Sequence, residues 1–264
     1  MKERKQMKVV NIEEAKKQFI EFADTYDLTN EHMNRKKYHS LRVTEVSEEL
    51  AKREKFSEEE IEIATLIGLL HDIARFKQYT EYQTFKDSES IDHGDVGVEL
   101  LETDSFLRKF IKTDKYDNII KSAIKNHNKF SIEEGISKEE NKFCKLIRDA
   151  DKIDIIYESI YIFWKNEKEI MENSKINKQL IEEFNEKKLL ITKNYKKIEY
   201  AEKIIQFFGF MYDLNYKSSY EIIIEQKYID EMINRFKFKD ECTRNEIINA
   251  GKQTKQYILN KIQQ

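Results

Sequence analysis

The stretch from Ile61 to Phe76 constrains the fold more than any other part of the chain. It reads Ile-Glu-Ile-Ala-Thr-Leu-Ile-Gly-Leu-Leu-His-Asp-Ile-Ala-Arg-Phe. Ala64, Ile67 and Leu70 recur at three-residue steps, and Ile63 stands one turn before Ile67. This spacing predicts a helix buried over much of its circumference. Such a helix carries His71 and Asp72 into the interior at its end. Buried ionisable groups are costly unless they are paired or bound to a metal. Asp72 therefore demands a cation, and either a protein side chain or a metal ion must supply it.

The remaining text predicts more helices. Proline is absent and glycine occurs six times in 264 residues. Both residues break helices and punctuate turns, so their scarcity favours long helices over strands. Hydrophobic residues make up 39% and charged residues 37%, enough for a core beneath a charged surface. A length of this order suits one domain or two closely joined ones. We expect a single all-helical domain over 1–264, with a core at about 31–165 and a helical extension at about 166–264. The Lys-Asn-Glu-Lys-Glu segment after Trp164 is the one plausible internal boundary.

Several function classes are disfavoured. A net charge of −3 gives no sign of a nucleic-acid or membrane surface of one polarity. The longest apolar run, Ala64 to Leu70, falls far short of the roughly 20 residues that span a bilayer. Met1 to Met7 is basic but lacks the apolar segment of a signal peptide, and Met7 is an alternative start. Cys144 and Cys242 form no C-x-x-C pair, which suits a reduced, cytoplasmic chain.

Taken in order, Asn11 with Glu14 opens a first helix bearing Phe19, Ile20 and Phe22. A second helix from about Glu31 to Lys55 sets His39 on one stripe with Val43, Val46 and Leu50. Ser57 with Glu60 is a capping box opening the central helix. Lys77 to Ser90 lacks helical periodicity and reads as a long loop, a length that usually has a task. Ser90 or Asp92 caps a helix with His93, Val96, Leu100 and Leu107 on one side. A helix from about Asp117 to Asn128 aligns Ile120, Ala123, Ile124 and His127. Ser137 with Glu140 opens another, which carries Phe143, Ile147 and Asp151 at one-turn steps to about Trp164. Beyond it, Ile176, Leu180 and Phe184 mark one helix, Ile204, Phe207 and Met211 another, and Ile223, Tyr228, Met232 and Phe236 a third. The last begins near Asp240.

Four of the five histidines thus fall on apolar faces, each on a different helix, and Asp151 joins them from a fifth. One histidine on an apolar stripe is more often a satisfied core residue than a ligand. Four such rings would each need a separate hydrogen-bond partner. Imidazoles and carboxylates converging on one point are what a divalent transition metal requires.

The ordered set His39, His71-Asp72, His93, His127 and Asp151 resembles the HD-domain superfamily of metal-dependent phosphohydrolases. The local text carries the likeness: Tyr38-His39-Ser40-Leu41-Arg42-Val43, Leu70-His71-Asp72-Ile73-Ala74-Arg75-Phe76, Asp92-His93-Gly94-Asp95-Val96-Gly97 and Arg148-Asp149-Ala150-Asp151-Lys152-Ile153-Asp154. The resemblance implies an all-α, HD-domain-like bundle with additional C-terminal helices. It also implies that His39, His71, Asp72 and Asp151 hold one metal ion. His93 and His127 match the histidines that hold a second ion in some relatives, with Asp72 bridging. Two ions about 3.5–4 Å apart lower the pKa of a shared water and clamp phosphoryl oxygens. The ligand set suits iron, manganese, zinc, nickel or magnesium rather than calcium.

Arg75 follows Asp72 by three residues and is expected either to grip a substrate phosphate or to pair with Asp72 or Asp151. Lys152 and Arg148 flank Asp151 as further phosphate candidates, and Asp154 is expected to orient a ligand. His32, two turns before His39, reads as a rim or surface residue. Tyr79, Tyr82 and Phe85 either stack a base or, more ordinarily, anchor their loop. Asp213 and Tyr216 read as core residues. The Gly-Tyr-Pro signature of relatives that hydrolyse cyclic dinucleotides is absent. The expected protein is a stand-alone soluble phosphohydrolase acting through a metal-activated hydroxide on a small phosphorylated metabolite, a nucleotide above all. The competing expectations are a catalytically silent nucleotide- or metal-binding regulator and a plain helical bundle with buried histidines.

Overall fold

Capping decides where the helices begin. A computed structural model describes residues 8–187, 190 and 198–264, so the basic Met1–Met7 segment lies outside the described residues. Among the described residues the secondary structure is helical, without strands, and the fold is all-α. The chain divides into two compact units, one up to Asp151 and one from Lys152.

In the first unit, α1 (Ile12–Ala23) starts at Asn11, whose side chain accepts from the Glu14 amide. The helix α2 (Glu31–Arg53) packs along α3 (Glu58–Leu70). The expected capping box opens α3: Glu60 accepts from the Ser57 amide at 2.8 Å while Ser57 Oγ accepts from the Glu60 amide. Three glutamates in its first turn suit the positive end of the helix dipole. Every residue from Ile63 to Leu70 is buried, as the spacing predicts. Burial of this kind stabilises by roughly 1.5–3 kcal/mol for each large apolar side chain.

The helix ends with His71 as its C-cap, and a tight turn follows in which the Ile73 amide donates to Leu70 O and the Arg75 amide to Asp72 O. The segment after Phe76 is not all loop, because α4 (Arg75–Tyr82) is helical with Phe76 and Gln78 buried. Three aromatic rings hold it, Phe76 packing edge-on against Phe19 and Phe22 of α1 at about 6 Å. A single 3₁₀ turn, Asp87–Glu89, precedes α5 (His93–Glu102), which is capped by Asp92. The buried face of α5 is His93, Gly97 and Leu101, whereas Val96 and Leu100 are only half-buried, and Leu107 lies beyond the helix end. Then come α6 (Asp117–Asn126) and α7 (Lys138–Tyr161), which opens with the expected Ser137–Glu140 box.

The second unit takes the end of α7 with α8 (Lys168–Asn173), α9 (Lys178–Asn185), α10 (Tyr200–Gly209), α11 (Lys217–Glu225), α12 (Tyr228–Asn234) and α13 (Glu241–Gln263). The single helix expected through Ile223 and Phe236 is two helices. Lys227 between them has φ of 55°, a left-handed conformation that no α-helix continues through. Arg235 donates to the carbonyls of Ser159 and Phe163 and so closes the C-terminal end of α7. Helices α10, α11 and α12 all pack on α13.

Candidate metal centre

The six expected ligands all belong to the first unit, and five of its helices present them. His39 projects from the middle of α2. His71 and His127 are the C-caps of α3 and α6, His93 is the first residue of α5, and Asp151 sits on α7. Helix ends suit this task because several chains can meet there without their backbones colliding. Glycine brings two pairs of helices close enough for the rings to touch. A Cβ at Gly68 on α3 would stand 2.6 Å from Ser47 Oγ and 2.8 Å from Val43 O on α2. A Cβ at Gly94 on α5 would stand 2.9 Å from Lys125 O on α6. Any larger residue would force these helices apart.

Two donor sets result, one on each oxygen of Asp72. On the first side, His39 Nε2 lies 3.0 Å from Asp151 Oδ1, 3.2 Å from His71 Nε2 and 3.5 Å from Asp72 Oδ2. His71 Nε2 lies 3.7 Å from both Asp72 Oδ2 and Asp151 Oδ1. On the second side, Asp72 Oδ1 lies 3.3 Å from His93 Nε2 and 3.6 Å from His127 Nε2, and those two nitrogens are 2.9 Å apart. His39, His71, Asp72, His93 and His127 are all buried.

The outer nitrogens fix the tautomers. His71 Nδ1 donates to Gly68 O at 2.8 Å, and His127 Nδ1 donates to Ile124 O at 2.6 Å. His93 Nδ1 donates to Asp87 at 2.7 Å. Carbonyls and carboxylates only accept, so each of these Nδ1 atoms carries a proton and each Nε2 is the atom turned inward. Burial pushes the His127 imidazole down to about 4, with its hydrogen bond to Asp72 opposing, so the ring is neutral at ordinary pH. His93 Nε2 and His127 Nε2 stand 2.9 Å apart, a separation that requires a proton or a metal ion between the two nitrogens. Burial would raise the carboxyl of Asp72, but Lys36, His71 and Arg75 hold it well below the usual range. At Asp151 burial is likewise outweighed, by hydrogen bonds from His39 and His71. Metal–nitrogen bonds of about 2.0–2.1 Å set neighbouring ligand atoms about 3.0–3.4 Å apart. The donor set fits a divalent ion on chemistry and on spacing.

Residues 37–156 match the family model described as HD domain. That segment is an HD domain. The HD-domain superfamily consists mostly of metal-dependent hydrolases, and two groups within the cluster, His39–His71–Asp151 and His71–Asp72–His127, have the spacing to hold a metal ion. No curated protein and no solved structure gives a significant match to the chain. Among the described residues, no helix of the HD protein is long and apolar enough to cross a membrane.

The basic residues expected at the site of this HD domain are engaged in different ways. Arg75 pairs with Asp72 Oδ1 at 3.3 Å, and its Nη1 donates to Gln78 Oε1, Phe85 O and Asp87 Oδ1 at 2.6, 2.7 and 3.0 Å. Arg148 is buried and donates to the carbonyls of Asn126, Lys129 and Phe130, which fastens the loop after His127. Lys152 belongs to the second unit, where its ammonium pairs with Asp213 at 2.9 Å; Asp154 is buried there. Exposed His32 lies beside Tyr79, and Tyr79 beside Phe85, with ring centroids 5.4 and 4.8 Å apart. Tyr82 is exposed.

Three residues of the site escaped the sequence reading. Lys36 puts its ammonium 2.6 Å from Asp72 Oδ2. Its place one turn before His39 was a usable signal. Asp87 gathers His93, Arg75, Gln78 and Asn128, and although burial works against it, His93 and the other donors hold its carboxyl far below the usual range. Asn128 donates to both Asp87 and Asp92 at 2.9 Å. Asp87 lies in a stretch without periodicity, so nothing local announced it.

Proposed function

We propose that this HD protein is a phosphohydrolase that holds two divalent ions and cleaves a phosphate ester or anhydride of a small metabolite, a nucleotide being the class we favour. One observation carries the reading: the two oxygens of the Asp72 carboxylate face two separate histidine sets. His39, His71, Asp151 and Asp72 Oδ2 would hold one ion, and His93, His127 and Asp72 Oδ1 the other. Divalent ions in these positions supply Lewis acidity, which acidifies a water and neutralises charge on the phosphoryl oxygens. The chain's own residues do the rest. Gly68 O, Ile124 O and Asp87 keep three rings in the ligating tautomer. Arg75 steadies Asp72 and holds positive charge beside it, where a phosphoryl group would gather negative charge. Arg148 keeps the loop behind His127 in place, and this reading leaves Lys152 and Arg148 outside phosphate binding.

The test is direct. Purified protein is assayed for metal content and then, with added manganese or iron, for phosphate release from nucleotides and sugar phosphates. Turnover that disappears on chelation and returns with metal is the expected result. Two bound ions with no turnover across the panel would favour a binding regulator instead, and no bound ion would remove the enzyme reading altogether.

A further inference from the structure

We infer that Lys36 is a substrate-contacting residue that binds a phosphoryl oxygen beside Asp72, an inference that rests on the phosphohydrolase reading. Lys36 lies just outside the 37–156 segment that matches the HD family, so no feature of that match assigns it a role. It is a buried lysine on α2, 9% exposed, one turn before His39. Taking an ammonium out of water costs several kcal/mol, so such a position needs a reason.

Charge balance for Asp72 alone is a weak reason. Arg75 already pairs with Asp72 Oδ1, while Lys36 takes Oδ2, so the carboxylate stands between two cations. The two cations differ in what they have left to give. Arg75 has its Nε and Nη1 committed to Asp72, Gln78, Phe85 O and Asp87. The Lys36 ammonium has three donors and gives one to Asp72. The Phe85 ring, 5.5 Å from Lys36 Nζ and 5.6 Å from the Arg75 guanidinium carbon, flanks both cations and restricts where the ammonium can go. The result is a desolvated cation with unused donors, held by an aromatic ring against the carboxylate that both donor sets share. An anion with several oxygens entering beside Asp72 meets those donors. Phosphate is the chemistry they suit, since an ammonium binds it as a compact point charge.

The experiment uses the full chain loaded with manganese, as wild type, K36M and K36R. It reads metal stoichiometry, thermal unfolding and the binding of inorganic phosphate by calorimetry. The expected result is an unchanged metal content in all three, with phosphate binding weakened roughly 10- to 100-fold in K36M. In K36R, which keeps the charge, binding is retained within several-fold. Wild-type phosphate affinity in K36M with metal retained overturns the role of Lys36 alone and leaves the hydrolase reading standing. A K36M protein that gains metal affinity without losing phosphate assigns Lys36 to charge balance and also overturns it. Should K36M unfold, phosphate affinity in K36R decides: loss of binding there as well assigns a purely structural lysine. A wild type that takes up no metal removes both readings together.

Discussion

Replacing Gly94 with alanine separates the site's geometry from ordinary helix propensity, because the two predict opposite signs. Glycine near the start of α5 costs helix stability, so an alanine with room to spare would stabilise by up to about 1 kcal/mol. There is no room. The new Cβ would lie 2.5 Å from Asn128 Oδ1, 2.9 Å from Lys125 O and 3.1 Å from Ile124 O, where ordinary contact begins near 3.4 Å. The Asn128 side chain can turn away, but the two carbonyls belong to α6 and cannot. The first turn of α5 must therefore withdraw from α6 by about 0.5 Å, the difference between 3.4 and 2.9 Å. Overpacking of this kind costs roughly 1–3 kcal/mol, so even against the full propensity gain the net loss reaches about 2 kcal/mol. His93 is the adjacent residue and moves with the turn, away from His127. Metal–ligand distances tolerate about ±0.2 Å, so in the proposed two-ion centre a shift of about 0.5 Å should weaken the ion at His93 and His127 by roughly tenfold or more while the one at His39, His71 and Asp151 is kept. Urea unfolding and metal stoichiometry by mass spectrometry measure both. A G94A protein more stable than wild type and carrying both ions unchanged would refute the close-packing argument.

The other expectations follow from the charges. In D87N the ring of His93 loses its carboxylate and Arg75 a partner; the second ion should weaken roughly 10- to 100-fold, read by metal titration, and an unaltered affinity counts against the orienting role. D72N would strip the proposed bridge and leave Lys36 buried without its anion; both proposed ions should be lost, with metal-free stability lowered by roughly 3 kcal/mol. Retention of two ions in D72N would mean that Asp72 does not join the two sets. Asp92 has its carboxyl drawn down to about 2: burial would raise it, but hydrogen bonds from Lys129 and Asn128 outweigh that. A depressed carboxyl stabilises above its unfolded value, so this contribution is full above about pH 4 and is lost as the pH falls to about 2. Comparing acid unfolding of wild type and D92N checks it, and identical acid limbs would contradict it.

The sequence revealed the helices and the residues that converge at the candidate site better than their surroundings. Helix starts were legible because Asn11, Ser57, Asp92 and Ser137 cap through local hydrogen bonds, which need no tertiary knowledge. His39, His71, His93 and His127 were legible because each lies in or at the end of an apolar pattern. The tight turn after His71 was not, since Ile73, Ala74 and Phe76 continue an apolar run while the chain turns. Helix α4 was hidden because aromatic packing on α1 rather than its own periodicity holds it. Asp87 was hidden for a related reason: its partners come from α4, α5 and the loop after α6, and no spacing encodes that meeting. Arg148 shows the converse. Its position beside Asp149 and Asp151 suggested a phosphate ligand, but loop carbonyls occupy its guanidinium.

Anomalous diffraction from crystals of the manganese-loaded protein tests the paired-ion centre most directly. Two peaks are expected, one among His39, His71 and Asp151 and one between His93 and His127, with the Asp72 carboxylate between them. Absence of both peaks, or peaks away from Asp72, would contradict it.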